Sequence, residues 1–168
     1  TPATSGQGKY KIDAGSTTTL YNGAAVASAS GYIVDGQTTD APILGVLNGI
    51  FFNAATTLKP TFSNFYKQPI TPANSEDIDA FVFDNPQQQY VVATDDSVAQ
   101  SGYLETYDMN TSAGDDITGK SSATLDIGDT SADAASFRLL RSAEDPENDE
   151  NAAFRSVVVC INLIELQS

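Results

Sequence analysis

Residues 43–52 read ILGVLNGIFF, a stretch of seven large apolar side chains, two glycines and no charge. Branched and aromatic residues favour a β-strand, and apolar side chains at consecutive positions indicate a strand buried on both faces. Gly45 and Gly49 would each destabilise a helix interior by about 1 kcal/mol. In a strand they indicate a bulge or the close approach of another backbone. The stretch therefore predicts a central strand of a β-structure.

Short apolar runs and turn residues alternate on both sides of this strand. The pair Asn22-Gly23 is a strong hairpin signal, and residues 84–86, Asp-Asn-Pro, favour a second turn. We expect that second turn to join two strands as a hairpin. Besides residues 43–52, the predicted strands are 17–21, 24–27, 31–36, 78–83, 90–93, 101–109, 122–127, 137–143 and 154–166, with a further hairpin and an extended passage within 53–72.

This spacing of about ten short strands predicts an all-β fold, a single-domain β-barrel or sandwich with at most one short helical turn, at residues 131–136. The length of 168 residues suits one domain. We predict a flexible N-terminal arm over residues 1–12 and a single β domain over residues 13–168. The most apolar strands supply the predicted core: Ile43, Leu44, Val46, Leu47, Ile50, Val82, Tyr90, Val92, Leu139, Val158, Cys160 and Ile164.

The net charge of −14 is concentrated in one part of the chain. Residues 1–75 carry a net charge of +1, residues 76–150 carry −15, and residues 151–168 are neutral. An acidic surface favours solubility and disfavours nucleic acid as a partner, because no basic patch is visible to contact phosphates. No apolar run reaches the roughly 20 residues that span a bilayer, so a membrane partner is not expected either.

The chain lacks the residues that several classes of catalytic site require. The chain has no histidine, which removes the Ser-His-Asp and Cys-His arrangements of nucleophilic enzymes. A single cysteine, Cys160, permits neither an intrachain disulfide nor a thiolate zinc site. No glycine-rich phosphate-binding motif is present. We therefore expect no enzyme activity, no catalytic residues and no cofactor.

Carboxylates are the only abundant functional groups. Asp145, Glu147 and Asp149 alternate as in a calcium-binding loop, but the sixth and twelfth positions hold Glu150 and Ser156 where an EF-hand has glycine and glutamate. We predict that residues 144–152 form an exposed loop without a structural metal. A pair of carboxylates for glycoside hydrolysis stays open as an alternative, although nothing singles out a pair.

An ordered set of segments resembles the small capsid decoration (cement) proteins of tailed bacteriophages, particularly marine and cyanobacterial phages. The segments are residues 19–26 (TLYNGAAV), 43–49 (ILGVLNG), 81–86 (FVFDNP), 118–121 (TGKS), 125–126 (LD), 137–140 (FRLL), 145–148 (DPEN) and 157–162 (VVVCIN). Together they span most of the chain from residue 17 onward.

This resemblance implies a structural β-domain that binds the outside of the assembled major capsid protein lattice and stabilises it. Its implied location is the outer surface of the virion capsid, and its implied partners are the major capsid protein and neighbouring copies in a dimer or trimer. Two alternatives remain: an adhesive or sugar-binding virion domain of the fibre type, and a carboxylate-based glycan hydrolase.

The predicted capsid contacts lie in the N-terminal arm. Lys9, Tyr10, Lys11 and Ile12 combine positive charge with apolar surface, which suits a segment that becomes ordered on a partner. The acidic middle of the chain is expected to face solvent or neighbouring copies, because like charges at an interface are costly. A chain that begins at Asp13 is then expected to fold but to bind capsids poorly.

Overall fold

The computed structural model describes residues 6–37, 42–110, 114–128, 135–149 and 151–162. Short 3-10 turns lie at Ala73–Ser75 and Gln100–Gly102. The strands are β1 (Gly8–Ile12), β2 (Ala25–Ala29), β3 (Tyr32–Asp35), β4 (Gly45–Asn53), β5 (Pro60–Ser63), β6 (Ile78–Phe83), β7 (Gln89–Ala93), β8 (Thr106–Tyr107), β9 (Phe137–Ser142) and β10 (Ser156–Ile161). The prediction of an all-β fold with about ten short strands is confirmed.

The first sheet has the strand order β1-β6-β4-β2-β3, and β5 pairs with β4. All of its pairings are antiparallel. Strands β1 and β3, at opposite ends of this order, approach each other, so the sheet is strongly curved. Its concave side encloses one apolar cluster: Ile12, Leu20, Val26, Ile33, Leu44, Leu47, Ile50, Tyr66, Ile78, Ala80 and Val82.

The second sheet has the order β7-β10-β9-β8 and is also antiparallel. It supplies most of a second apolar cluster, in which Ala25 and Ile43 come from the first-sheet side: Ala25, Ile43, Val98, Tyr107, Leu125, Phe137, Leu139, Val157, Val159 and Ile161. The two sheets therefore pack face to face through Ala25 and Ile43, which corresponds to the sandwich alternative.

The two glycines of the central strand have the roles that the sequence indicates. A Cβ on Gly45 would overlap the carbonyl oxygen of Phe83 on β6. At Gly49 a Cβ would lie 2.7 Å from the ring of Phe62, and the β4–β6 register shifts between Leu47 and Gly49. Gly45 thus permits close approach of a neighbouring backbone, and Gly49 lies at a bulge.

The predicted hairpin between residues 78–83 and 90–93 is wrong. Strand β6 lies between β1 and β4 in the first sheet, whereas β7 pairs with β10 in the second. Both edges of β6 are already occupied, so β7 has no hydrogen-bonding position beside it. Residues 84–88 instead carry the chain from one sheet to the other.

Three weaker strand predictions also fail. Residues 17–21 and 122–127 form only isolated bridges, at Leu20 with Tyr66 and at Leu125 with Thr94 and Met109. Within 101–109 only the two residues of β8 are strand. The predicted helical turn at 131–136 and the end of the last predicted strand lie largely outside the described residues.

The predicted core is confirmed where the two sheets are well covered. The buried members are Ile43, Leu44, Leu47, Ile50, Val82, Leu139 and Val158. The half-buried members are Val46, Tyr90, Val92 and Cys160, and Ile164 lies outside the described residues. Val46, Tyr90 and Val92 line the groove that separates the sheets, which accounts for their partial exposure, whereas Cys160 does not line it.

The prediction of a flexible arm over residues 1–12 is wrong for residues 8–12. They form β1, which pairs with residues 78–82 of β6. Ile12 is 0% exposed within the first cluster, so apolar burial and the ladder to β6 both hold this segment. Residues 1–5 lie outside the described part of the chain, and the single domain over 13–168 stays a prediction.

Candidate functional site

A groove of about 470 Å³ opens between the two sheets, next to the place where they touch. The first sheet contributes Val46, Asn48 and Phe83, and the second contributes residues 90–93 of β7. Residues 121–124, which run from one sheet towards the other, also line it. Its volume lies within the range of ordinary ligand pockets, about 300–1,000 Å³.

None of the Asp, Glu, Lys or Arg side chains in the described parts of the chain lines this groove, although 18% of the chain is charged and residues 76–150 carry most of the acids. The lining is mainly aliphatic and aromatic, with amide groups from Asn22 and Asn48 and hydroxyl groups from residues 121–124. An anionic or cationic ligand would lose its hydration there without gaining a counter-charge. The groove therefore suits an uncharged, largely apolar partner.

Side chains with core character are left half-exposed in this groove. Val46, Tyr90 and Val92 lie in apolar strands and were predicted to be buried, yet each keeps contact with solvent at the groove. Met109 and Phe83 are partly exposed beside them. A contiguous apolar surface rimmed by polar groups is typical of an interaction site.

A hydrogen bond from Tyr90 joins the two walls of the groove. The phenol of Tyr90 donates a hydrogen bond of 2.9 Å to the carbonyl oxygen of Phe83, at the end of β6. Burial, with a smaller contribution from the negative charge of Asp84, raises the pKa of Tyr90 to about 12. The hydroxyl therefore stays protonated and acts as a donor at any physiological pH.

Asn22 attaches the loop of residues 121–124, which also lines the groove, to the first sheet. Its side-chain amide donates to the carbonyl oxygen of Asn48 at 2.6 Å, and its own carbonyl accepts from the amide of Ser121 at 2.9 Å. Gly23, at φ +82°, permits the turn that follows. The Asn22-Gly23 signal thus marks a turn that attaches the loop to β4, without two paired flanking strands.

The predicted capsid contacts have structural roles at the β1–β6 pair. Lys9 and Lys11 both form ion pairs with Asp79, the first at 2.8 Å. Burial alone would raise the pKa of Asp79, but hydrogen bonds from Lys11 and Lys9 hold it below its usual range. Tyr10 donates a hydrogen bond of 2.7 Å to Asp84.

Ile12 is the one predicted contact that the structure contradicts. Its side chain is fully buried in the first cluster, so it is not available to a partner while the domain is folded. Lys9 and Lys11 remain accessible, with side chains 59% and 48% exposed. A capsid contact through Lys9, Tyr10 and Lys11 stays a prediction.

The carboxylates of the acidic loop organise their own turns. Asp145 accepts a hydrogen bond from the amide of Glu147, and Asp149 accepts one from the amide of Asn151. Asn148 connects the ends of β9 and β10 through Ala143 and Ser156. Among the residues that the structure describes, no group of three or more acidic or thiol side chains is placed to hold a metal ion.

Comparison with known proteins gives no relative: no protein-family model, curated protein or solved structure matches the chain. Among the described residues, no helix is long and apolar enough to cross a membrane. The site must therefore be interpreted from its own geometry.

Sequence reasoning missed the groove as a site, although one signal marks it. Residues 85–94, NPQQQYVVAT, are ten uncharged residues between Asp84 and Asp95 in the most acidic part of the chain. A neutral run in such surroundings indicates either burial or a partner. Met109 and Phe137 have no comparable signal, because only the packing of the second sheet brings them to the groove.

Proposed function

We propose that this protein is a phage head decoration protein, which binds the outer surface of the assembled major capsid protein lattice and stabilises it. The observation that carries the proposal is the uncharged apolar groove between the sheets of a strongly acidic chain. The ordered sequence segments that resemble decoration proteins supply the class of partner. Neighbouring copies on the lattice complete the proposed set of partners.

The distribution of charge supports this role. Free copies that carry a net charge of −14 repel one another, which favours a dispersed state before assembly. No charged side chain in the described part of the chain lines the groove, so docking there avoids juxtaposing the acidic segments with the lattice. Attachment would then depend on apolar contact, with the acidic loop of residues 144–149 left in solvent.

The test places a charge in the groove and measures binding to capsids. Val46→Lys puts an ammonium group on the β4 wall, where burial against a partner is costly. We expect co-sedimentation with emptied capsids, stripped of decoration protein, to weaken by about tenfold or more, equivalent to about 1.4 kcal/mol. Thermal unfolding of the free variant establishes that the fold is retained.

Val34→Lys is the matched control, because Val34 is a strand valine on β3 that is already 37% exposed and lies outside the groove. It adds the same charge and should leave binding unchanged. Failure of the wild-type chain to bind stripped capsids would refute the proposed function. Equal binding by both lysine variants would show that attachment uses another surface.

Binding of an oligosaccharide is the second candidate function. The groove combines amide and hydroxyl groups with the rings of Phe83 and Tyr90, a mixture that sugar sites also use. The amide of Asn22 already donates to the carbonyl oxygen of Asn48, which makes this group less available to a sugar. Saturation-transfer NMR with neutral oligosaccharides distinguishes the two, since the capsid role predicts no transfer from groove protons.

A further inference from the structure

We propose that the groove accepts one extended, uncharged polypeptide segment of the lattice subunit, which pairs as an added strand with the free edge of β7. This inference rests on the proposed function, because it specifies how the partner would be bound. Strand addition to an exposed sheet edge is an established way of recognising peptides: main-chain hydrogen bonds give affinity and side-chain pockets give specificity.

Among the described residues, the side of β7 that faces away from β10 is paired only at its C-terminal end, by Leu125. The amide of Thr94 donates to Arg155, on the β10 side, whereas the carbonyl oxygen of Ala93 accepts from the amide of Leu125 on the opposite side. Because backbone groups alternate along a strand, the N–H and C=O of Val91 also point away from β10. Within the described parts of the chain, no strand pairs with this side of Gln89–Val92.

Leu125 already forms two backbone hydrogen bonds along this edge, at the C-terminal end of β7. Leu125 accepts a hydrogen bond from the amide of Asp95 and donates to Ala93, so it occupies the position of a neighbouring strand at that end of β7. From Ala93 towards Gln89 no strand among the described residues takes this position, and the consecutive residues 90–93 line the groove. An incoming segment would continue the ladder where Leu125 leaves it.

The edge of β7 also lacks the protection that natural sheet edges carry. Residues 85–94 contain no charged side chain, and edge strands normally use charge, proline or short length to prevent pairing. The edge strand β1 carries Lys9 and Lys11, β3 ends in Asp35, β5 begins at Pro60, and β8 is two residues long. Among the described edges, β7 is therefore the one most suited to pairing with another chain.

The side chains of the added segment would complete the core. Tyr90 and Val92 face the groove and remain half-exposed, opposite Val46 on the first sheet. Alternate side chains of a paired strand point to one face, so every second residue of the segment would enter the groove. Those residues must be uncharged, because no charged side chain among the described residues lines the groove.

A second copy of this chain fits the edge less well than a separate segment. Symmetric pairing of two β7 strands about Val91 would place the partner beside Ala93, a position that Leu125 already occupies. Two copies would also bring together net charges of −14. The occupant is therefore assigned to the lattice subunit.

The test removes one donor that strand addition would use, the N–H of Val91. Val91→Pro deletes an N–H that points away from β10, so the β7–β10 ladder is retained. Val91→Ala is the matched control, since it shortens the same side chain and keeps the N–H. The probe is an end-capped hexapeptide of alternating threonine and valine, followed by the amide resonances of β7 and of residues 46–48.

We expect the hexapeptide to shift these resonances in the wild-type chain and in Val91→Ala, and to bind Val91→Pro about tenfold more weakly, as for loss of about one hydrogen bond. An N-methylated hexapeptide, which cannot form the ladder, should not bind. This second probe keeps the test decisive if Val91→Pro does not fold. Absence of wild-type binding, or equal binding of the methylated peptide, would overturn strand addition.

Capsid binding by the same variants separates this inference from the proposed function. Weaker capsid binding by Val91→Pro than by Val91→Ala supports both. Equal capsid binding by the two variants overturns the inference and leaves the decoration role in place. If the wild-type chain binds the hexapeptide but not capsids, the decoration role is wrong and the groove is a strand-accepting site for another partner.

Discussion

A chain that begins at Asp13 should be strongly destabilised, with its chemical unfolding shifted to much lower denaturant concentration or no cooperative transition at all. Removal of β1 leaves one edge of β6 without its ladder and Asp79 without Lys9 and Lys11. It also removes Ile12, which is 0% exposed in the first cluster. Loss of such a side chain alone costs about 2–5 kcal/mol, against a total stability of about 5–15 kcal/mol for a domain.

Two point variants separate the apolar contribution from the truncation itself. Ile12→Ala should lower the free energy of unfolding by about 2–5 kcal/mol, whereas Gln7→Ala, at an exposed residue just before β1, should have little effect. A truncated chain with the unfolding midpoint and slope of the full chain would show that β1 is dispensable. It would restore the interpretation of this segment as an arm.

Leu44→Ala is expected to cost about 2–5 kcal/mol of unfolding free energy. Leu44 is 3% exposed in the first cluster, and its amide donates to the carbonyl oxygen of Val26, which holds it at the start of β4. The curved first sheet encloses its side chain, so the cavity left by truncation has little room to collapse. Equilibrium unfolding in urea, followed by tyrosine fluorescence, measures the change.

Leu58→Ala makes the same chemical change at an exposed position and serves as the control. Leu58 is 73% exposed in the connection between β4 and β5, so its truncation should change stability by less than about 0.5 kcal/mol. Similar effects at Leu44 and Leu58 would contradict the burial of the central strand.

Local patterns predicted the central strand and most of the core because those features depend on composition alone. The run at residues 43–52 forms a strand whose one face is buried and whose other face is half-buried, and Gly45 and Gly49 lie where a neighbouring backbone or ring approaches. Strand β6 was located at its observed bounds, since its alternating apolar residues are flanked by acids.

The pairing of strands depends on contacts between distant segments, and there the sequence was insufficient. The turn at residues 84–86 is a correct local feature, but β6 and β7 enter different sheets because β1 and β4 occupy both edges of β6. The same contact with β6 converts residues 8–12 from a polar-looking arm into a strand. Neither effect is visible without the register of β1 against β6.

The groove could not be predicted from the sequence for the same reason. Val46, Tyr90 and Val92 have the composition of core residues, and only the separation of the two sheets leaves them half-exposed. The charge-free run at residues 85–94 was the one sequence signal for the groove. It distinguishes a partner site from a buried strand only when the pairing of β7 is known.

Attachment through the groove is tested most directly by amide hydrogen exchange of the wild-type chain, free and bound to stripped capsids. Attachment through the groove predicts slower exchange in residues 89–93 of β7 and in residues 46–48 of β4, with the loop at 144–149 unchanged. Slower exchange confined to residues 8–12, with the groove unaffected, would contradict it and place the capsid contact on β1.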